Sequence, residues 1–279
     1  MIEIHASPDE VAAGKLTDDH LEAAVRAVRE DSFVVLHNAI DLGHIDALYE
    51  KFLEDRARLD RLAKPLGPGR GNQQMPREPE YLFEDVMKNP LAAQVMGAVY
   101  GSGVGCGMYT TNTNLPGVGV QELHIDQRER RADDPVGYPT NCFVMNVPLV
   151  DFTEENGATE VWPGTHVTPC SIGQRYVSAE EEETRRKIRP PEIAVLLRGS
   201  ALLRDIRIWH RGRANHTDIV RTMIGMITIP YDAATMPRST MANLGPFHES
   251  ARDFFATGPV YYNVEFVNHW VDIVELPVK

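Results

Sequence analysis

The segment 121–126, Gln-Glu-Leu-His-Ile-Asp, carries the residue types best suited to binding a metal ion. Side chains two positions apart on a β-strand point to the same face, so His124 and Asp126 would present two ligands to one ion. A distant histidine would complete a two-histidine, one-carboxylate ligand set, which suits non-heme Fe(II) and leaves open positions for a co-substrate and oxygen. The pattern alone is weak, because the chain holds two further His-x-Asp copies, at residues 44–46 and 216–218.

The surroundings of the three copies favour the one at 124–126. His44 and Asp46 open a predicted helix, whose apolar positions are Ile45, Leu48, Phe52 and Leu59. Residues two apart on a helix do not face each other, so this pair is poor metal geometry. His216 and Asp218 fall in a predicted connection between two strands, where we expect an ordinary loop.

The third ligand is expected from the late strands, and His210, which we predict to end the strand 206–210, supplies it. The next predicted strand, 220–231, places Arg221 in one row with Met223, Gly225 and Ile227. An arginine in such a row is costly to bury without an anion, and its guanidinium pairs bidentately with carboxylates. A carboxylate ligand beside the metal would satisfy Arg221. An ordinary salt bridge with Asp218 or Glu155 is the alternative.

The elements that must position these residues follow from periodicity and turn signals. The first part of the chain predicts a helix after the N-cap Thr17, a buried strand at 33–36, a helix through Leu59 and two helices between Tyr81 and Gly101, separated at Asn89-Pro90. Short strands then dominate, and we predict them at 108–113, 118–126, 141–149, 159–162, 193–197, 201–203, 206–210 and 220–231. Residues 178–187 predict a solvated helical insertion. Helices outside a late array of strands indicate a mainly β fold, an antiparallel barrel or double-sheet jelly roll.

Composition limits the function classes. The 279 residues, 43% hydrophobic and 24% charged, fit one large domain. A formal charge of -12 argues against a nucleic-acid partner or an anionic membrane surface. The three cysteines, Cys106, Cys142 and Cys170, follow no zinc spacing and predict reduced thiols. With no signal peptide and no apolar run of roughly 20 residues, we expect a cytoplasmic protein that does not enter a membrane.

Several motifs occur together in a specific order and spacing. They are Asn112-x-Asn114-Leu115-Pro116-Gly117, Gln121-x-x-His124-x-Asp126, Glu155-Asn156-Gly157-Ala158-Thr159, Pro163-Gly164-Thr165-His166, Trp209-His210-Arg211-Gly212, Asn215 and Arg221. With them the chain resembles the phytanoyl-CoA dioxygenase family of Fe(II) and 2-oxoglutarate dependent oxygenases, and within it the natural-product tailoring members. The resemblance implies a cupin-like, double-stranded β-helix fold. We divide the single expected domain, 1–279, into helices to about residue 101, a jelly roll at about 102–232 and an extension at 233–279.

The resemblance also implies roles for individual residues. His124, Asp126 and His210 would hold the iron, and Arg221 would bind the distal carboxylate of 2-oxoglutarate. Gln121 and Thr159 would help to hold this co-substrate. Halogenating relatives replace the carboxylate ligand by a small residue, so the presence of Asp126 disfavours halogenation. The lack of a basic cluster around the motifs disfavours a coenzyme A thioester as substrate.

The expected reaction is oxidation of a small molecule by O2, with 2-oxoglutarate converted to succinate and CO2. Hydroxylation is the expected outcome, while desaturation, epoxidation and rearrangement would use the same site. Candidate substrate-facing residues are Asn72, Gln73, Gln74 and Tyr109; the glycine-rich segment before them predicts a loop, with a substrate lid as the alternative. A non-redox isomerase or hydrolase on a cupin-like barrel, and a catalytically silent binding protein, are the alternative functions. The sequence leaves a homodimer open.

Overall fold

The computed structural model describes residues 2–59, 72–73, 75–76, 78–126, 142–168, 175–232 and 252–262. The predicted loops at 66–71 and 128–137, Cys170 and most of the expected extension at 233–279 lie outside these described residues. Within them, the helices and strands alternate first and the strands then predominate, as the sequence predicts.

The α-helices lie mainly ahead of the strand-rich region. They are α1 (Pro8–Ala13), α2 (Asp18–Asp31), α3 (Leu42–Leu59), α4 (Glu84–Met87), α5 (Pro90–Tyr100), α6 (Ala179–Ile188) and α7 (Arg252–Ala256), with 3-10 turns at Pro79–Tyr81 and Thr165–Val167. Thr17 caps α2 by accepting a hydrogen bond from the His20 N–H, which confirms the predicted start. Asn89 caps α5 in the same way, and Gly101 ends it in the left-handed conformation. No helix among the described residues is long and apolar enough to cross a membrane.

The strands form two sheets. Their bounds are β1 (Glu3–His5), β2 (Phe33–His37), β3 (Gly103–Asn114), β4 (Phe143–Pro148), β5 (Thr159–Val161), β6 (Glu192–Ala194), β7 (Ala201–Asp205), β8 (His210–Gly212), β9 (Arg221–Tyr231) and β10 (Val260–Tyr262). The larger sheet has the order β1-β2-β7-β4-β9-β3-β10, and the smaller has the order β6-β5-β8. In the larger sheet the five central strands pair antiparallel, and β1 and β10 join its edges in parallel.

Each face of the larger sheet is buried against a different layer. On one face, helices α2, α3 and α5 cover a row that includes Val34, Leu36, Leu203 and Met226. On the other face, the smaller sheet covers a row that includes Phe33, Val35, Leu202 and Met223. Since neighbouring residues of one strand alternate between these rows, the packing follows the pleat of the strands. The predicted mainly β fold with flanking helices, a two-sheet jelly roll, is confirmed.

Two predicted strands are wrong, and both concern the metal motif. Residues 118–126 form an extended segment without regular strand pairing, because their backbone hydrogen bonds go in turn to Gly212, His210, Arg175 and Ile206. Residues 206–209 form a turn, so His210 begins β8 and does not end a strand. The segment that carries the motif therefore bridges several elements.

Helix α6 is confirmed and has no buried residue, and its charged side chains also contact the rest of the fold. Glu182 accepts a hydrogen bond at 2.9 Å from Arg211 on β8. The guanidinium of Arg186 lies 5.0 Å from the ring centre of Trp162. Arg189, directly after the helix, pairs with Asp31 at the end of α2. These contacts place α6 against the outside of the smaller sheet.

The polar turn before β5 fixes one residue of the predicted site. Its Gly157 has a φ of +84°, and the Gly157 carbonyl accepts a hydrogen bond at 2.9 Å from Nη2 of Arg221. The Asn156 side chain closes the turn, because it accepts from the Thr153 N–H at 2.9 Å and donates to the Asp151 carbonyl at 2.8 Å. The turn therefore supports Arg221 as well as connecting strands.

Replacing Gly157 by Ala is expected to destabilise the fold. A Cβ there would lie 2.6 Å from the Arg213 carbonyl oxygen, and the left-handed backbone itself costs a non-glycine residue about 1–2 kcal/mol. The matched control is Gly117→Ala, since Gly117 has a φ of +77° with nothing within 4 Å of the added Cβ. Urea unfolding should show a clearly larger loss of unfolding free energy for Gly157→Ala. Equal losses would contradict the close approach.

Candidate metal centre and co-substrate cavity

Three side chains that are far apart in sequence converge in the structure. His124 and His210 form a single antiparallel bridge with backbone hydrogen bonds of 3.1 and 2.9 Å. Nε2 of His124 lies 3.6 Å from Oδ1 of Asp126, and Nε2 of His210 lies 3.4 Å from Oδ2. The two imidazole ring centres are 4.4 Å apart. One ligand atom from each residue is thus available to a single ion.

The other nitrogen of each imidazole is already engaged. Nδ1 of His124 lies 2.8 Å from the Glu122 carbonyl oxygen, and Nδ1 of His210 lies 2.9 Å from the Ile208 carbonyl oxygen. A carbonyl oxygen can only accept, so both Nδ1 atoms carry the proton and both Nε2 lone pairs are directed at the shared centre. Metal-binding histidines are oriented in this way. The donor set fits a divalent metal, and its composition is that of non-heme Fe(II) sites with open positions.

The charges around the centre set the protonation state that a metal requires. Burial alone would raise the pKa of Asp126, but its interactions with His210 and with the Arg204 guanidinium outweigh burial and hold the pKa well below its usual range. Burial lowers the pKa of His210 to about 4, and the charge of Arg204 acts in the same direction. At neutral pH the carboxylate is therefore charged and the His210 imidazole is neutral, as metal binding needs.

Arg204 on β7 holds the carboxylate in place. Its Nη2 donates to Oδ2 of Asp126 at 2.7 Å, and its Nε donates to Oδ1 of Asn146 on β4 at 3.0 Å. The arginine side chain is 2% exposed and that of Asp126 is 26% exposed, so the arginine end of this ion pair is shielded from solvent. A buried charge of this kind needs its partner, because removing one member leaves the other uncompensated. The carboxylate ligand is thereby anchored to two strands of the larger sheet.

The centre opens into a cavity of about 210 Å³ that also contains Arg221. Arg221 is buried at the start of β9, and its guanidinium lies 4.6 Å from the ring centre of Phe152. Gln121 accepts a hydrogen bond from the Gly212 N–H at 3.0 Å, while Thr159 begins β5. The walls comprise the three ligands together with Asn72, Asn112, Thr113, Gln121, Thr159, Arg175, Arg204, Gly212, Arg221 and Met223. A single cavity thus brings the predicted metal ligands and co-substrate residues together.

The family model described as Phytanoyl-CoA dioxygenase (PhyH) matches residues 28–223, which include all of these ligands and Arg221. The chain belongs to the phytanoyl-CoA dioxygenase family. Among curated relatives, Dioxygenase trt7 of Aspergillus terreus is 29% identical over 160 residues, which cover 54% of this chain and 51% of the relative. The iron/alpha-ketoglutarate-dependent dioxygenase okaE of Penicillium ochrochloron is 26% identical over 168 residues, which cover 55% and 51%. The chain thus spans about half the length of these relatives.

Solved structures share the fold. The non-heme alpha ketoglutarate dependent carbocyclase SnoK from nogalamycin biosynthesis superposes with a TM-score of 0.59 at 17% identity, covering 79% of this chain and 86% of SnoK. AviO1 from Streptomyces viridochromogenes superposes with a TM-score of 0.56 at 19% identity, covering 77% of this chain and 96% of AviO1. At these identities the likeness shows that this chain shares their jelly-roll fold.

One of the tentative substrate residues lines the cavity, and two others that the structure describes do not. Asn72 lines the cavity, and its Oδ1 accepts a hydrogen bond at 2.7 Å from the Thr113 N–H. Gln73 instead turns into the interior, where it donates to the Phe52 carbonyl at 3.0 Å. Tyr109 is buried in the hydrophobic cluster beneath the helices. Neither is among the described residues that form the cavity wall, and Gln74 lies outside the described residues.

The two other His-x-Asp copies lie apart from the centre. His44 lies near the start of α3, where its Nδ1 is 2.8 Å from Oδ1 of Asp85 and its ring stacks on Phe83. His216 lies in the connection before β9. Neither His44 nor His216 is among the described residues that line the cavity. The assignment of His44 to the helix and of His216 to the loop agrees with the sequence analysis.

Arg204 and Arg175 also line the cavity, and neither was predicted from the sequence. Arg204 lies in the run Ala-Leu-Leu-Arg-Asp. Like Arg221 it is an arginine among apolar neighbours, which is costly to bury without an anion, so the same signal was present in the sequence. Arg175 follows a segment outside the described residues, and its backbone carbonyl accepts from the Ile125 N–H at 2.9 Å. No periodicity in the sequence marks Arg175.

Substituting Arg204 by Met is expected to make metal binding more sensitive to acid. Without the guanidinium, the pKa values of Asp126 and His210 both rise, because Arg204 lowers each of them. Both groups must be deprotonated to bind a metal, so affinity in the variant should begin to fall at a higher pH than in the wild type. Loss of such an orienting partner typically lowers metal affinity by about 10- to 100-fold.

Fe(II) affinity measured anaerobically between pH 5 and pH 8 checks this expectation. Arg213→Met is the matched control, because Arg213 forms an exposed pair with Glu154 at 3.4 Å. A pH profile for Arg204→Met that superimposes on the wild-type profile would show that Arg204 does not tune the ligands.

Proposed function

We propose that this family member is an Fe(II) and 2-oxoglutarate dependent dioxygenase that hydroxylates a small-molecule metabolite in a natural-product tailoring pathway. The observation that carries the proposal is the single cavity that joins the His124, Asp126 and His210 ligand set to a buried Arg221. The names of its relatives, among them an iron/alpha-ketoglutarate-dependent dioxygenase, support the same chemistry.

The proposed roles follow from position and charge. His124, Asp126 and His210 would hold the iron, and Arg221 would pair with the distal carboxylate of 2-oxoglutarate, with Gln121 and Thr159 beside it. When bound, iron and 2-oxoglutarate supply oxygen activation coupled to oxidative decarboxylation, which yields succinate and CO2. The chain itself favours the deprotonated forms of Asp126 and His210 through Arg204, fixes Arg221 through the Gly157 carbonyl and surrounds the reacting groups with protein. Asn72, on the cavity wall, is the proposed substrate contact among the four tentative residues.

A carboxylate ligand explains why Arg221 is buried at this point of the cavity. The guanidinium lies on Phe152, donates a hydrogen bond to the Gly157 carbonyl and lines the same cavity as the candidate metal ligands. A planar guanidinium binds a carboxylate through two parallel hydrogen bonds, which suits the distal end of a dicarboxylic acid. This feature distinguishes the proposed oxygenase from a metal-dependent hydrolase or isomerase, which needs no dicarboxylate co-substrate.

Arg221→Gln tests the co-substrate role. Losing a charge-assisted bidentate partner worth roughly 1.5–3 kcal/mol should weaken 2-oxoglutarate binding about 10- to 150-fold while iron stays bound. Titration of the anaerobic Fe(II) protein with 2-oxoglutarate measures the affinity, and metal analysis verifies the iron content. Arg213→Gln, at an exposed arginine, should leave the titration unchanged. An unaltered affinity in Arg221→Gln would assign the carboxylate to another basic residue.

Oxygen consumption coupled to succinate formation tests the reaction class. Anaerobic 2-oxoglutarate should give the Fe(II) protein a weak visible absorption band, and admitting oxygen should discharge it and produce succinate, faster with the true substrate. Asp126→Gly should stop product formation, because it removes the anionic ligand that Arg204 holds. His44→Ala and His216→Ala, at the two copies outside the cavity, should behave as the wild type. Iron-loaded wild-type protein that shows neither band nor succinate would refute the oxygenase assignment.

A further inference from the structure

A second group of metal-ligating side chains lies at the edge of the larger sheet. Glu3 and His5 belong to the edge strand β1, and His37 is its neighbour on β2, where the parallel register sets His5 beside His37. Oε2 of Glu3 lies 3.4 Å from Nε2 of His37 and 3.9 Å from Nε2 of His5. One ligand atom from each residue falls within 4.8 Å of the others.

The buried member of the group, His37, points an unpartnered nitrogen at the other two. The residue is 7% exposed, and its Nε2 has no hydrogen-bond partner. Its Nδ1 lies 3.0 Å from the buried Oγ of Ser200, which can accept the Nδ1 proton and leave the Nε2 lone pair free. This is the way in which a neighbouring oxygen orients a metal-binding histidine.

The charge of this arrangement suits a cation. Nε2 of His37 faces the Glu3 carboxylate oxygen at 3.4 Å. A divalent ion bound between these two atoms would take the place of the proton that a hydrogen bond between them requires. The flanking His5 ring supplies a further lone pair from a side chain that is 65% exposed and free to turn.

We propose that Glu3, His5 and His37 form a second metal site, separate from the catalytic ligands, that takes a divalent ion of the Zn²⁺ class. Two imidazoles and one carboxylate are ligands that Zn²⁺ accepts, with water in the fourth position. Tetrahedral ligands about 2.1 Å from such an ion lie roughly 3.4 Å apart, close to the separations found here. The rings of His5 and His37 are stacked with an angle of 12° between them, so the exposed His5 ring turns out of the stack when the ion enters.

The site is distant from the catalytic ligands and has a structural role. Ser200, which holds His37, precedes β7, whereas Arg204, which holds Asp126, lies four residues further, roughly 13 Å along an extended strand. The strand β1 is only three residues long and forms one edge of the sheet. An ion bound by two residues of β1 and one of β2 would pin this short edge strand to the sheet.

Zinc stoichiometry tests the proposal in the full chain. In equilibrium dialysis with Zn²⁺ followed by metal analysis, His5→Ala should lower the bound zinc by one equivalent, both in the wild type and in a His124→Ala/His210→Ala background that lacks the catalytic ligands. Glu3→Gln should weaken this zinc by more than about ten-fold, since even the loss of an outer partner costs that much. Both residues are exposed, so their replacement spares the core.

Matched controls separate the site from non-specific binding. His44→Ala should leave the stoichiometry unchanged, because His44 has one carboxylate partner, Asp85, at 2.8 Å. Zinc should also raise the Tm of the His124→Ala/His210→Ala protein, and this rise should vanish when His5→Ala is added. Equal zinc content with and without His5, or an equal Tm rise, would overturn the proposal. The outcome does not depend on the proposed oxygenase activity, since no turnover is measured.

Discussion

The candidate centre depends on one ion pair, between the partly buried Asp126 and the fully buried Arg204. The carboxylate lies on a segment without regular strand pairing, and a charge placed there without a partner would be strongly destabilising. Arg204 resolves this problem from β7, and Asn146 on β4 orients the guanidinium in turn. The contacts from Asp126 to Arg204 and from Arg204 to Asn146 thus connect the irregular segment 118–126 to two central strands. The scattered backbone hydrogen bonds of the segment add to this connection.

The sequence argument for the pair His124 and Asp126 and for Arg221 rests on local alternation of side chains, and the structure places all three in one cavity. A His-x-Asp pair shares a face in any extended backbone, so the expectation held although 118–126 is not a regular strand. Alternation along β9 likewise places Arg221 and Met223 together, and both line the cavity. By contrast, the irregular pairing of 118–126 and the turn before His210 depend on contacts with distant segments. Hydrophobic periodicity carries no information about such partners, which is why these two strand predictions were wrong.

Arg204 is a second case in which the sequence did not reveal a distant partner. Its position in an apolar run was visible in the sequence, but its partner lies 78 residues away and had been assigned to the metal alone. Gln73 and Tyr109 were predicted to face the substrate because polar side chains lie in a candidate lid and a strand. In the structure Gln73 donates a hydrogen bond to the Phe52 carbonyl instead, and Tyr109 is buried under the helices. Side chains that can contact a substrate can also serve the core, and composition does not distinguish the two uses.

Different parts of the fold support two groups in the cavity wall. Arg204 on β7 holds the candidate ligand Asp126, whereas the turn at Gly157 holds Arg221 at the start of β9. Strand β7 also connects the candidate centre with the edge of the sheet, since Ser200 before it contacts His37. A backbone carbonyl on Nδ1 leaves Nε2 as the free imidazole nitrogen in His124 and His210, whereas His37 has a side-chain hydroxyl on its Nδ1. The backbone partners are two residues away and come with the local chain conformation, whereas the Ser200 contact requires the packed sheet. The proposed edge site therefore depends on the pairing of β2 with β7, while the orientation of His124 and His210 is encoded within each short segment.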